Sequence, residues 1–400
     1  LNVGTNAGSG GVNQWNNSQT YLGTYLVYDT PVSRTADGTM INTALESMEW
    51  EDNTTLVMTL KDNIYFSDGD QMTGEDLIYS FQMYVDCPSS SLVNYYNCVD
   101  YDKSEISDDG LTVTFHFNKE YGPFMANFEV YLVNKSAVES WPEDDERWWS
   151  APIGSGPYEL VENVAGSHET YRLREDYWDT ENTPEWDEIN IYHYSDQTAM
   201  FVAYENGEID LALNLTNNDA KRIVNGEVES GYGEIGSNAS SILTFSQYKD
   251  EFQDINVRKA LTHALDFDAI GEVAFGILYR PCDSVLTEGT SYYKSEGAFE
   301  YDLDYAKECM AASAYPDGFE VKIMGKNDAN SISLYDMLQT YWSQIGVNVV
   351  IETYDISTCI PAWMEEGATD IMVMTVNGGN VAREPNMALS SFVSTGVYYG

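Results

Sequence analysis

The stretch from Asp254 to Gly276, DINVRKALTHALDFDAIGEVAFG, constrains the fold more than any other part of the chain. Val257, Ala260, Leu261, Ala264 and Leu265 recur at the i, i+3, i+4, i+7, i+8 spacing of a single helical face. Asp254 stands where its carboxylate can cap the first free N–H groups and face Arg258 one turn on. Asp266 repeats the cap signal for a second helix, and Gly276 can close it. An apolar stripe needs a layer to pack against, and the residues that follow supply one. Asp302 caps a helix with Leu303, Ala306 and Met310 on one face, stopped near Pro316-Asp317-Gly318. Leu334, Leu338, Tyr341 and Ile345 form another stripe, Gly346 ends it, and Val347, Val349 and Ile351 alternate as a strand. Asp370 to Val376 is a further apolar strand, which gives the order of an open α/β lobe.

The first half carries a different pattern. Leu1-Asn2-Val3 reads as a short strand, followed by the loop NAGSGGVNQWNNSQ and the helical YLGTYLVYDTPV. Asn13, Gln14 and Trp15 equip that loop for hydrogen bonding and stacking, although a surface loop with one tucked tryptophan reads the same way. Leu56, Met58 and Leu60 alternate with polar neighbours, Ser67 to Asp70 forms a turn, and Thr73-Gly74-Glu75-Asp76 starts a capped helix burying Leu77, Phe81 and Val85. Asp68-Gly69-Asp70 begins like a calcium loop, but no ligand ladder or closing glutamate follows, so a turn is expected. Leu111, Val113, Phe115 and Phe117 make a second amphipathic strand. In Gly154-Ser155-Gly156-Pro157-Tyr158 the serine stands between glycines and a proline follows at once, which argues for a tight turn into a strand over a nucleophile elbow.

The chain has 400 residues, more than one core usually supports, so two or more lobes are expected. It carries 19 Lys plus Arg against 65 Asp plus Glu, a formal net charge of −46. That charge repels polyanions and excludes nucleic acid as a partner. No apolar run is long enough for a membrane span, and no signal peptide is evident. Of the five cysteines, Cys87 and Cys98 flank a turn-rich stretch and could form a local disulfide, while Cys282, Cys309 and Cys359 read as buried thiols. His116, His168, His193 and His263 lie on separate elements, which favours surface or core placement over metal binding or catalysis.

Several of these segments together resemble the extracytoplasmic solute-binding proteins of ABC importers, in the family of oligopeptide-, dipeptide- and nickel-binding proteins. The pieces are D-x-x-V-R-x-A-L-x-x-A-L-D-x-x-x-I from Asp254, the turn Gly154 to Tyr158, the Phe66-Ser67-Asp68-Gly69 turn with its capped helix, Gly207-Glu208-Ile209-Asp210, and the Tyr301-Asp302 helix. The resemblance implies a two-lobed α/β periplasmic-binding-protein-like fold of type II, cluster C, with an extra α+β subdomain in the first lobe. Lobe I would take residues 1–42 and 153–238, the subdomain 43–152, and lobe II 239–400. Relatives continue for about another hundred residues that complete the second lobe, so this chain is either a truncated piece or a shortened member.

The implied function is capture of a nutrient, foremost a peptide, between the lobes and its delivery to ABC permease subunits. No enzyme activity, cofactor or metal is implied. The protein would be a monomer, periplasmic or a cell-surface lipoprotein, reaching the membrane only through a lipid anchor or the permease. The loop with Asn13 and Trp15 would line the cleft, and Asn214, after the strand that follows Gly-Glu-Ile-Asp, would sit at its edge or else cap the next helix. Peptide-binding members place an aspartate shortly before a Glu-Pro or Asp-Pro pair. Here Val381 takes that position before Glu384-Pro385, leaving Asn377, Asn380 and Arg383 as ligand candidates. Arg383 could grip an anionic group or only offset the acidic surface. With 9 Trp, 30 Tyr and many Asn, an oligosaccharide or other neutral polar ligand is the alternative. A secreted hydrolase ranks below both, because paired carboxylates are a weak signal in so acidic a chain.

Overall fold

Two separate patterns of strand pairing divide the chain into units of residues 1–219 and 220–400. The computed structural model describes residues 1–6, 22–35, 39–86, 93–122, 124, 130–142, 145–231, 239–246, 248–284, 286–287, 293–295, 297, 299–327, 329–354, 359 and 369–377. Asn13, Trp15, Asn380 and Arg383 lie outside these residues, as does Cys87.

The first unit runs β1 (Asn2–Thr5), α1 (Thr24–Val27), β2 (Val32–Arg34), β3 (Met40–Asn42), β4 (Leu45–Asp52), β5 (Thr55–Leu60), α2 (Gly74–Asp86), α3 (Val93–Tyr96), β6 (Val99–Ile106) and β7 (Thr112–Phe117). It continues through α4 (Lys135–Val138), α5 (Arg147–Ser150), β8 (Tyr158–Val164), β9 (His168–Leu173), β10 (Glu188–His193), α6 (Gln197–Glu205) and β11 (Leu211–Ala212), and α7 (Asn217–Val224) carries the division. The main sheet has the order β11-β1-β10-β9-β8, with β1 parallel to both β10 and β11. A small β2-β3 ribbon and an antiparallel sheet β4-β5-β7-β6 complete it.

The antiparallel sheet and α2 pack against one another, with the alternating strand residues facing the helix. Leu56, Met58, Val113 and Phe115 are fully buried, and Phe81 of α2 meets Phe115 and Tyr96 edge-on. Thr73 starts α2 through Asp76, whose Oδ2 accepts from both the Thr73 backbone N–H at 2.8 Å and its hydroxyl at 3.0 Å. The buried face of α2 turns further than expected: Met83 and Tyr84 are buried, and Val85 is only half-buried. Asp68 and Asp70 accept from the Asn134 side chain at 3.0 and 3.3 Å. Their turn thereby holds α4, for which Asn134 is the N-cap.

Gly154 and Gly156 are required by close approach. A Cβ on Gly154 would lie 2.0 Å from the Val27 carbonyl oxygen, and the Gly156 N–H donates to that same oxygen at 2.8 Å. The buried Arg174 locks the turn. Its guanidinium donates to the carbonyls of Gly154, Gly156, Tyr65 and Phe66 and to Asp176, so all its N–H groups find acceptors.

The second unit holds β12 (Ala239–Phe245), α8 (Ile255–His263), α9 (Phe267–Phe275), α10 (Leu303–Ala312), β13 (Glu320–Lys326), α11 (Ala329–Ser343), β14 (Asn348–Tyr354) and β15 (Ile371–Asn377). Its sheet order is β12-β15-β13-β14, with β13 parallel to β14 and β15 and only β12 reversed. Val257, Ala260, Leu261 and Ala264 are fully buried against α10, α11 and the sheet, as their spacing required. Asp254 and Asp266 cap α8 and α9, and Gly276 ends α9 at φ 55°. Asp254 makes no direct salt bridge with Arg258, although the Arg258 charge adds to the backbone N–H bonds that hold its carboxyl below the usual range. Its other oxygen accepts from Ala314 N–H at 2.8 Å, and Arg258 donates instead to the Phe252 carbonyl. Two cysteine expectations also change. Cys98 is a buried free thiol donating to the Tyr95 carbonyl at 3.1 Å, and Cys282 is exposed, in the irregular stretch after α9, where no layer covers it.

Candidate functional site

In open sheets with parallel strands, ligands bind beyond the carboxyl ends of the strands, near the point where the strand order changes direction. In the first unit those ends belong to β1, β10 and β11. The turn at Gly207, φ 74°, brings the chain back, and Asp210 anchors β11 by accepting from the Asn2 N–H at 2.7 Å at the opposite, amino end. Beyond the carboxyl ends stand Asn6 after β1, Tyr194 after β10, and Leu213 and Asn214 after β11.

Asn214 joins these ends. Its φ is 61°, the sole positive value at a non-glycine position among the described residues. That conformation costs roughly 1 kcal/mol, less for asparagine than for most residues, and tends to be kept where a site needs it. It sends the Asn214 carbonyl to the Gln197 side-chain amide and the Asn214 side-chain amide to Asn6 Oδ1 at 3.3 Å. Gln197 is the first residue of α6, which Asp196 caps through the Ala199 N–H at 2.7 Å. The ends of two strands and the start of a helix thus converge in a cluster of three neutral amides, with Asn6 and Asn214 exposed and Gln197 half-buried. Such a cluster offers both donors and acceptors without charge. The helix-cap alternative for Asn214 does not apply: Thr216 caps α7, accepting from Asp219 N–H at 3.1 Å and donating to the Asp219 carboxylate at 2.6 Å.

In the second unit, Asn377 is the last residue of β15, paired with Ala239. The parallel strands β13 and β14 run in the same direction as β15 and end at Lys326 and Tyr354, where Asn327 N–H donates to the Tyr354 carbonyl at 3.0 Å. Asn377 therefore also stands at a carboxyl edge, within its own unit. Among the described residues, no group of three or more His, Cys, Asp or Glu side chains is placed to hold a metal ion, and no helix is long and apolar enough to cross a membrane.

Sequence reasoning missed Asn6 and Gln197. A strand-end rule applied to Leu1-Asn2-Val3 would have pointed to Asn6, but Gln197 needed the knowledge that β1 lies beside β11. It also missed Glu169 of β9, which is 2% exposed. Its Oε2 accepts from Tyr171 Oη at 2.8 Å, and its Oε1 lies 3.4 Å from Nε2 of His193, the last residue of β10.

The sequence profile of the bacterial extracellular solute-binding proteins, family 5, matches residues 40–399. The chain belongs to that family. Heme-binding protein A of Haemophilus influenzae is 24% identical over 302 residues, covering 70% of this chain and 54% of its own. The ABC transporter substrate-binding protein CtaP of Listeria monocytogenes superposes with a TM-score of 0.84 at 24% identity, over 100% of this chain and 82% of its own. The Escherichia coli murein tripeptide binding protein MppA gives 0.81 at 19% identity, with 100% and 82% covered. These likenesses establish the two-lobed type II fold of the periplasmic binding proteins. The chain spans about half the length of the curated relatives it matches, 49% in the first of them.

Proposed function

We propose that this chain captures a solute outside the cytoplasmic membrane and delivers it to the permease of an ABC importer, with a peptide as the solute and no chemical turnover. Membership of the solute-binding family supports the role. The observation that carries the ligand class is the amide cluster of Asn6, Gln197 and Asn214 at the carboxyl edge of β1 and β11. Neutral amides match the alternating N–H and C=O groups of a peptide main chain, and they leave side chains unselected. The likeness to a murein tripeptide binding protein supports the same reading. Asn13, Trp15, Asn377, Asn380 and Arg383 complete the proposed contacts.

Isothermal titration with tetra-alanine tests this on the wild type, Asn214→Gly and Gln197→Ala. Glycine keeps the positive φ while deleting the amide, so a weakening of about fivefold or more places the side chain in the site. Undiminished peptide affinity in both variants would remove the cluster from the site. Heat with a neutral oligosaccharide alone would move the ligand class to sugars, and released alanine would turn the reading to hydrolysis.

A further inference from the structure

The face of the main sheet that carries Val3, Tyr171, Ile189 and Ile191 is an apolar core, and all four are buried. Glu169 opens onto this face with only 3% of its side chain exposed, and His193 with 10%. A carboxylate without a countercharge in such surroundings costs several kcal/mol. One donor is the neutral Tyr171 hydroxyl, whose ionisation is pushed far above its ordinary range by burial and then by Glu169 itself, so that it stays a donor. The other group is the His193 imidazole, at 3.4 Å. That distance is long for a neutral hydrogen bond but well inside ion-pair range, so the attraction grows when the ring carries both protons.

The pair sits where it can act on the site. His193 lies opposite Thr5, the last residue of β1, and Tyr194 N–H donates to the Thr5 carbonyl at 2.8 Å. Asn6 follows at once and receives the Asn214 amide. Among the described residues, Tyr171 donates to Glu169 from the same strand, the uncharged Thr5 of β1 lies opposite His193, and Tyr28, after α1, acts on the Tyr171 hydroxyl. A natural control exists: His168 and Glu162 stand at the same 3.4 Å, with 26% and 58% of their side chains exposed, where water screens the charge.

We infer that Glu169 and His193 are a proton-dependent positioning pair that ties β9 to the carboxyl end of β10, where β10 meets the end of β1, so that solute capture at that edge is tightened when His193 is protonated. This rests on the reading that the edge binds the solute, and the readouts separate the two ideas. With four histidines in the chain, the His193 ring resonance is assigned by its loss in His193→Gln. The wild-type titration midpoint of His193 is the reference. In Glu169→Gln, which keeps an acceptor for Tyr171, it falls, and in Tyr171→Phe, which leaves the carboxylate more dependent on the ring, it rises. Glu162→Gln leaves it in place. Hydrogen exchange of the Tyr194 amide, corrected for intrinsic rate, loses protection along the His193 titration in the wild type and not in Glu169→Gln. The tetra-alanine dissociation constant rises roughly fivefold over the same interval in the wild type alone. If tetra-alanine fails to bind while Tyr194 protection follows His193, the pair stands and the peptide reading falls. A His193 titration indifferent to Glu169→Gln, flat Tyr194 protection, or a pH slope in affinity that survives Glu169→Gln overturns the inference.

Discussion

Asp29 follows α1 and accepts from the Trp178 indole N–H at 2.8 Å, in the region where α1, the Gly154 turn and Arg174 meet. Burial raises its carboxyl from the ordinary 3.8 to about 6, with the Trp178 hydrogen bond and the Arg174 charge opposing. The folded state therefore holds this proton more tightly than the unfolded chain does. Its stabilising contribution is fully present below about pH 4 and is lost as the pH rises through about 6. At about 1.36 kcal/mol for each pH unit between those values, the loss amounts to at most about 3 kcal/mol. Asp29→Asn keeps an oxygen for Trp178 and cannot ionise. Urea denaturation followed by tryptophan fluorescence, from about pH 4 to about pH 7, compares the two proteins while every other titration cancels in the difference. The variant should gain about 2 to 3 kcal/mol on the wild type across that window. A stability gap that stays constant would refute the argument.

The other predictions concern turns, caps and charge. Gly154→Ala forces a methyl to within 2.0 Å of the Val27 carbonyl and should cost about 1 to 3 kcal/mol or more in denaturant titration; an unchanged midpoint would mean the turn moves away freely. Asp254→Ala removes acceptors from both Asn256 and Ala314 and should cost about 2 kcal/mol, against about 1 kcal/mol for Asp266→Ala, which loses only its cap; equal losses would contradict the second bond. With a net charge of −46, self-repulsion should be screened by salt, so the melting temperature should climb by several degrees between about 0.01 and about 1 M NaCl; a flat or falling curve would deny that repulsion a role.

Features encoded locally were legible in the sequence. The caps at Asp254, Asp266 and Asp302, the stop at Gly276 and the alternation in β5 and β7 each depend on residues within a turn or two of one another, and the structure places them as read. Asp254 marks the limit. Its cap was readable, whereas its bond to Ala314, sixty residues on, depends on α8 packing against α10. Arg174 likewise reads as an ordinary surface cation until the fold brings the carbonyls of Tyr65 and Gly154 to it. At the candidate site, Asn214 was legible because it follows a strand. Asn6 and Gln197 join it only through the parallel pairing of β1 with β11, whose Val3 and Leu211 lie far apart in the chain. The Glu169–His193 contact is hidden for the same reason, since it spans two strands whose register no local signal sets.

The most direct test of the account is native mass spectrometry of the protein as purified, followed by removal of any bound molecule and calorimetric titration with a peptide series, the supernatant being checked for cleavage. The account predicts a peptide adduct that is released on denaturation, a higher melting temperature when peptide is added back, and peptide recovered intact. Cleaved peptide, or stabilisation by neutral sugars with none by peptides, would contradict it.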